Sequence, residues 1–300
     1  ALASQTSDVL AGGRSNGQAM VADGFYDNGK EHVYVRLGAI SPKFRADNSI
    51  IAQNGYRAVD IESWQCRKLE GFFNQVCPGV NAKEQRAWDN TPLNRFVTPV
   101  LGLNGNRNSY WSFQPRWLNY TRTRDGGAWH HIPTFYARAE GNPSTRFPYA
   151  FFETEFGRGV DVATDTKARL MFNGVTLNWR AHERIEFEGT ISDYRLNDLA
   201  NARWRLHETT AQLVGVGYLT AQDTVRLIAQ RSLSKRNPEM YTFAVTPRAH
   251  TQAVSLVYSH KRGLGRELNV GVTHGNARAS LQPNRTTTEL FAKLSWAVNL

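Results

Sequence analysis

The amino-acid sequence predicts an all-β fold, a transmembrane antiparallel up-and-down β-barrel of about 12 to 16 strands. Two observations carry this prediction. Apolar and polar residues alternate in many successive segments, and aromatic residues gather near the ends of those segments. Side chains of a strand point to opposite faces with a period of two, so each alternating segment has one apolar face. A membrane barrel needs such a face on every strand.

Residues 287–300 alternate almost without interruption. The apolar residues of one parity are Leu290, Ala292, Leu294, Trp296, Val298 and Leu300. The other parity is polar except for Phe291 and Ala297. A helix would need apolar residues at spacings of three and four, which this segment does not provide. The segment is therefore a predicted strand.

About 13 segments alternate well enough to be predicted strands, and an even total is expected of a bacterial barrel. They are His32–Ile40, Tyr56–Trp64, Asn94–Leu103, Ser109–Asn119, Trp129–Arg138, Arg146–Phe156, Lys167–Trp179, Arg184–Tyr194, His207–Leu219, Thr224–Leu233, Thr251–His260, Glu267–His274 and Thr287–Val298, with Tyr241–Thr246 as a short further candidate. Residues 32–300 are thus the predicted barrel, with a long loop at 65–92. The polar, glycine-rich residues 1–31 are predicted to be flexible or plug-like.

Composition alone favours a soluble protein, because only 41% of the 300 residues are hydrophobic. A barrel tolerates this value, since only every second residue of a strand has to be apolar. The chain holds 8 Trp, 11 Tyr and 15 Phe. Aromatic girdles at the two membrane interfaces would explain their number, and an ordinary β-sheet core would do so as well.

The formal net charge of +10 favours polyanionic partners. For a barrel these are phosphorylated lipid headgroups, an acidic polysaccharide or small anions, and the alternative is a solvated basic surface without a selected partner. No motif of a nucleic-acid-binding module occurs, so no nucleic-acid partner is expected.

Charged residues on the polar parity are candidates for a pore lumen, where basic rings favour anions. The alternative is that they form internal salt bridges that fill a narrow barrel. The candidates are Arg36, Arg116, Arg184, Glu186, Glu188, Arg226, Glu289 and Lys293.

The only two cysteines, Cys66 and Cys77, lie in one predicted loop. An even pair at this spacing predicts a local disulfide and an oxidising compartment, with two free thiols as the alternative. The spacing does not suit a metal knuckle.

Signals for catalysis are weak. His130 and His131 are adjacent and would point to opposite faces of a strand, so a polar rim is the better interpretation than a metal site. Pairs such as Glu186 and Glu188 share one face, where charge ladders are commoner than paired catalytic acids. We therefore predict no catalytic residue, no metal and no cofactor.

Four segments of strand and turn resemble one family, the C-terminal β-barrel of uncharacterised bacterial outer-membrane proteins that carry an upstream carbohydrate-binding-like module. The matching segments are Glu155–Gly159, Leu177–Glu186, Asp223–Gln230 and Leu290–Trp296. This resemblance implies a fold and a Gram-negative outer-membrane location but no chemistry. The chain departs from the family in two ways: no such module is visible upstream, and Leu300 stands where outer-membrane strands commonly end on an aromatic residue.

Together these patterns predict a porin-like transport protein, a passive channel or export pore for anionic or saccharide solutes, in contact with outer-membrane lipid. A structural or partner-binding barrel is the alternative. An outer-membrane enzyme acting on lipid or glycan is the third reading.

Overall fold

A computed structural model describes residues 2–10, 13–44, 55–123, 126–263, 266–280 and 282–296. These residues form nineteen strand segments and one short 3-10 turn, so the all-β prediction is confirmed. No helix in the described ranges is long and apolar enough to cross a membrane.

The strands follow one another along the chain. They are β1 Leu2–Leu10, β2 Gly13–Asp27, β3 Glu31–Ile40, β4 Tyr56–Gln65, β5 Arg67–Lys68, β6 Phe73–Ala87, β7 Pro92–Gly105, β8 Ser109–Arg116, β9 Leu118–Thr121, β10 His130–His131, β11 Thr134–Gly141, β12 Tyr149–Asp161, β13 Thr166–His182, β14 Ile185–Asp198, β15 Trp204–Tyr218, β16 Asp223–Arg236, β17 Arg248–Lys261, β18 Arg266–Ala279 and β19 Gln282–Trp296. The 3-10 turn is Pro238–Met240.

The chain divides into two units. Unit 1 comprises Ala1–Asn106, Tyr110–Ala137 and Phe156–Ala168, and unit 2 comprises Arg107–Ser109, Arg138–Glu155 and Arg169–Leu300. In unit 1, antiparallel pairing runs from β1 to β4 and on through β6 to β7. In unit 2 it runs from β14 to β19 without a break. Each unit is therefore an up-and-down meander.

All thirteen principal strand predictions coincide with strands of the structure. Without the two-residue β5, the described residues form eighteen strands, an even number that exceeds the predicted range of about 12 to 16. The closing strand is confirmed as far as Trp296, while Val298 and Leu300 lie outside the described residues.

Two predicted irregular segments are strands instead. Residues 1–31 were predicted to be flexible or plug-like, but they hold β1 and β2, whose glycine and polar residues hide the alternation. The predicted loop at 65–92 holds the fifteen-residue β6. Its charged run hides the alternation because polar residues occupy both parities. Cross-strand partners neutralise the charges, with Lys83 Nζ 3.2 Å from Asp60 Oδ1 and Glu84 paired with Arg95. The short candidate Tyr241–Thr246 forms bends after the 3-10 turn and no strand.

Apolar side chains lie mainly on the outside. Among the described residues only six apolar side chains are buried, whereas forty large ones are exposed. A soluble chain of this size would bury a far larger apolar core. In unit 2 most of the exposed ones in strands share one parity of each strand, as in Ile191 (57% exposed), Leu213 (43%) and Val254 (48%), and the exceptions are Trp204 and Tyr218 of β15. We call this the apolar face of unit 2, and the opposite parity its polar face.

Phe291, the exception in the alternation of the closing strand, packs over a glycine. It is paired directly with Gly271 of β18, and a Cβ atom at Gly271 would lie 2.6 Å from the ring. Phe187 covers Gly215 in the same way on the apolar face. Aromatic rings commonly cover strand glycines in this way. Phe291 therefore lies on the polar face, but its ring is half-buried against Gly271.

Gly157 is required by its backbone conformation and by its neighbours. Its φ is +145°, and a Cβ atom would lie 2.4 Å from the Pro133 carbonyl oxygen. That oxygen also accepts a hydrogen bond from the Arg158 amide, so the backbone cannot easily withdraw. Gly157→Ala should therefore lower the free energy of unfolding by about 1–3 kcal/mol or more, measured by urea titration of the refolded protein.

Gly38→Ala is the control, because a Cβ atom at Gly38 meets nothing within 4 Å. Equal urea midpoints for the two variants would contradict the proposed constraint at Gly157.

The predicted disulfide is present between Cys66 and Cys77. Cys66 follows β4 and Cys77 lies within β6, so the bond joins two strands that already pair along their length. The closed loop spans a sequence separation of 11 residues.

Reduction of this bond, or the double change Cys66→Ala/Cys77→Ala, should lower the free energy of unfolding by about 2–4 kcal/mol. The measurement is the urea midpoint with and without a reducing agent. The double variant should respond equally in both conditions, and an unchanged midpoint in the native chain on reduction would contradict the expectation.

Candidate functional site

The polar face of unit 2 carries a ladder of hydroxyl and amide side chains. Thr176 and Thr190 are hydrogen-bonded through their hydroxyls at 3.1 Å, and Ser192 and Thr210 at 2.5 Å. These contacts follow from register, because Ser192 and Thr210 are directly opposite in neighbouring antiparallel strands. The ladder forms one wall of a cavity of about 410 Å³. Its hydroxyl and amide lining includes Thr190, Thr210, Gln212, Gln230, Ser232 and Thr251.

A second cavity of about 380 Å³ lies nearer the β13–β14 turn and is charged. Arg180 Nε is 2.8 Å from Glu186 Oε1, while Glu188 and Arg226 line the same space. Two carboxylates thus face two guanidinium groups. Beside them, Val214, Val216 and Ile228 form an apolar strip.

Three of the predicted lumen residues therefore share one site: Glu186, Glu188 and Arg226. Two further residues of this site were not predicted. They are Arg180, which completes the charge balance, and Asn178, whose buried Oδ1 has no hydrogen-bond partner among the described residues. The signal was present, since both have the polar parity of β13. Only the register between strands shows that they meet the predicted residues.

The prediction for Arg184 needs correction. It was placed on the polar face of a strand, but it lies in the two-residue turn between β13 and β14 and is exposed. Glu289 and Lys293 do lie on the polar face of β19, opposite Thr273 and Asn269. Four residues of extended chain, about 13 Å, separate these two, so they do not form a pair.

The two predicted residues of unit 1 are both engaged. Arg36 lies opposite Asp23 and Asp60, with its Nε 3.7 Å from Asp23 Oδ1. The Arg116 guanidinium stacks over the Tyr136 ring at 4.4 Å. Neither is an isolated cation on an open wall.

A buried His–Asp pair lies at one end of unit 1. His130 Nε2 donates to Asp165 Oδ1 at 2.8 Å, and each side chain is only 7% exposed. Asp165 also accepts from the Thr123 hydroxyl at 2.6 Å and the Ala128 amide at 2.9 Å. The carboxylate therefore ties the segment before β10 to the turn between β12 and β13.

The neighbouring His131 points elsewhere, as predicted, and its Nε2 donates to the Trp117 carbonyl oxygen at 2.7 Å. In the described ranges no three His, Cys, Asp or Glu residues are close enough to hold a metal ion.

Strands with one exposed apolar face and one polar face, paired as an antiparallel meander, define the class of this protein. It is a transmembrane up-and-down β-barrel of the bacterial outer membrane, since among sheets only a closed barrel satisfies all backbone groups in lipid.

No model of a known protein family matches the sequence, and no curated protein matches it. Among solved structures, the chain is similar to the outer-membrane channel DcaP of Acinetobacter baumannii, with 10% identity, 93% of this chain and 97% of that chain covered, and a TM-score of 0.45. It is similar to Wzi of Escherichia coli, described as an outer-membrane carbohydrate-binding β-barrel involved in group 1 capsule assembly. The identity is 10%, the match covers 99% of this chain and 83% of Wzi, and the TM-score is 0.40. It is also similar to the outer-membrane protein OmpT of Vibrio cholerae, with 11% identity, 93% of this chain and 98% of that chain covered, and a TM-score of 0.37.

The contacts of Asp165 make stability depend on pH. Hydrogen bonds from Thr123, then Ala128 and His130, lower the pKa of this turn carboxyl below its ordinary value of 3.8. A lowered pKa in the folded state adds stability above pH about 4, which is lost as the pH falls further. Asp165→Asn keeps the shape and tolerates the positive φ of 54°, but it loses this acid dependence.

The urea midpoint of the native chain should therefore fall more steeply between pH 5 and 3 than that of Asp165→Asn, and the two curves should converge at the acid end. Parallel curves would show that Asp165 is not the titrating group. Glu183→Asn, in an exposed turn, is the control.

Proposed function

We propose that this outer-membrane barrel is a passive channel or export pore whose polar face accommodates hydroxylated, saccharide-type solutes. The observation that carries the proposal is the ladder of Thr, Ser and Gln side chains on the polar face of unit 2. Hydroxyl and amide groups both donate and accept hydrogen bonds, as a neutral sugar requires.

The charge balance supports a neutral solute more than an anion. Arg180 pairs with Glu186, and Glu188 offsets Arg226 at the same cavity. In unit 1, Asp23 and Asp60 lie opposite Arg36. Lumen arginines favour anions only where their charge is not offset.

The apolar strip fits the same solute class. Val214, Val216 and Ile228 lie beside the polar groups of the charged cavity. A pyranose ring presents CH groups on its faces and hydroxyls around its edge, so a binding wall with both kinds of surface can hold it loosely. Loose binding suits conduction, because a solute must leave as readily as it enters.

Purified protein in detergent should show heat-modifiable gel mobility, and in planar bilayers it should give stepwise conductance. Liposomes that contain it should swell with maltose-type oligosaccharides faster than empty liposomes. Silent bilayers together with intact heat-modifiable mobility would favour the structural or partner-binding alternative. A monodisperse protein without detergent would overturn the membrane assignment itself.

The charged cavity allows a sharper test. Glu186→Gln/Glu188→Gln leaves Arg180 and Arg226 unbalanced, so the reversal potential in a KCl gradient should move towards anion preference. Glu183→Gln/Glu239→Gln removes the same charge from a turn and a loop and serves as the control. Equal reversal potentials for the two variants would exclude this cavity from the ion path.

A further inference from the structure

The apolar face of unit 2 carries a cluster of basic side chains near the ends of β16, β17 and β18. We call Arg231, Lys235, Arg248, His250 and Arg278 the basic patch. The three arginines are exposed, and the other two side chains are half-buried. In the part of the chain that the structure describes, no ion pair involves Arg231, Lys235, Arg248 or Arg278.

Register places these bases opposite one another. Lys235 pairs directly with Arg248 across β16 and β17, and His250 pairs with Arg278 across β17 and β18. Lys235 and Arg248 are therefore like charges directly opposite each other, which is destabilising in a sheet. An anion bound between them would reverse the sign of that interaction.

In the adjoining strands β14 and β15, a carboxylate lies between two opposed basic side chains. Arg195 and His207 are also opposite each other at this end of the apolar face. Asp193 lies between them, 2.6 Å from Arg195 Nε and 2.6 Å from His207 Nε2. A carboxylate thus neutralises the first pair, whereas no described carboxylate neutralises the basic patch.

An apolar groove of about 690 Å³ adjoins the patch on the same face. Gly189, Ala211 and Ala229 are the small residues of its lining, and larger residues such as Leu213 and Val254 lie beside them. Arg231 lines this groove and belongs to the basic patch, so the two features are continuous. Its exposed surface is mostly apolar, which suits a hydrocarbon chain.

We propose that the basic patch and the groove together bind one phosphorylated glycolipid of the outer leaflet. The phosphates lie between Lys235, Arg248 and Arg278, and an acyl chain lies in the groove. Arginine binds phosphate through paired N–H donors, and basic clusters at the membrane surface recognise phosphorylated headgroups. The proposal rests on the membrane location in the proposed function and not on the channel activity.

The loop lengths place the patch in the outer leaflet. It lies at the end of the strands where β16 and β17 are joined through residues 237–247, the longest connection between consecutive strands of β13–β19. The connections at the patch end have five, eleven and two residues (199–203, 237–247 and 280–281), and those at the opposite end have two, four and four (183–184, 219–222 and 262–265). Longer loops of outer-membrane barrels face the exterior, where phosphorylated glycolipid forms the leaflet.

The test is retention of a lipid by the full chain in detergent, measured by native mass spectrometry after addition of hexa-acylated diphosphoryl lipid A. The native chain should retain one molecule. Arg248→Gln/Arg278→Gln should weaken retention by about 10-fold or more, because two charge-assisted contacts are lost. Arg262→Gln/Arg266→Gln removes the same charge at the opposite ends of β17 and β18 and should leave retention unchanged.

Lipid A without its phosphates should be retained as weakly as the double variant retains the native lipid. Equal loss in the two double variants would overturn the site, as would equal retention of dioleoyl-phosphatidylglycerol, which would indicate a general preference for anions. Ala229→Phe, which fills the groove and leaves the charges in place, should also reduce retention.

Heat-modifiable mobility of every variant separates the two hypotheses. A folded, conducting protein that retains lipid A equally with and without its phosphates overturns the lipid site alone. A protein that neither shifts in mobility nor conducts overturns the proposed function, and with it the lipid site.

Discussion

Backbone hydrogen bonding between neighbouring strands is the constraint on which the rest of this structure depends. In lipid no water can satisfy an unpaired amide or carbonyl, so each strand must pair along its length. Pairing fixes register, and register fixes which side chains meet across the sheet. The hydroxyl ladder, the Arg180–Glu186 pair and the basic patch all arise from residues placed opposite one another in this way.

Contact with lipid explains why so few apolar side chains of the described residues are buried. A soluble fold gains stability by removing its apolar residues from water. Here the exposed faces of strands such as β17 and β18 gain the same free energy from contact with lipid. The interior can then be polar, provided that its charges have partners. Arg36 beside Asp23 and Lys83 beside Asp60 satisfy that condition in unit 1.

Where a strand alternates without interruption, the sequence alone predicts which side chains share a face. It does not predict which side chains of neighbouring strands are in contact. Alternation identified β14, β16 and β19, because polar and apolar parities there are separated. It failed for β6, where Lys83 and Glu84 occupy both parities and are neutralised by residues distant in sequence. Phe291 interrupts the alternation of β19, and only the register between strands shows that it lies opposite Gly271.

The candidate site shows the same limit. Glu186, Glu188 and Arg226 were predicted individually, and their strands place them at one cavity. Asn178 and Arg180 lie on a neighbouring strand and could be added only once register was known. Arg184 has the parity of Glu186 and Glu188, but it lies in the two-residue turn before β14, and alternation alone does not show where a strand begins.

The two faces of unit 2 use cross-strand pairing with opposite results. On the polar face, hydroxyl meets hydroxyl at Ser192 and Thr210, and acid meets base at Glu186 and Arg180. On the apolar face, Lys235 opposes Arg248 and His250 opposes Arg278, and the carboxylate that resolves the Arg195–His207 pair has no described counterpart there. In unit 1, Arg57 also opposes Arg86, but Glu84 pairs with Arg86 and offsets its charge. The opposed basic side chains of the apolar face therefore favour binding of an anion from the membrane.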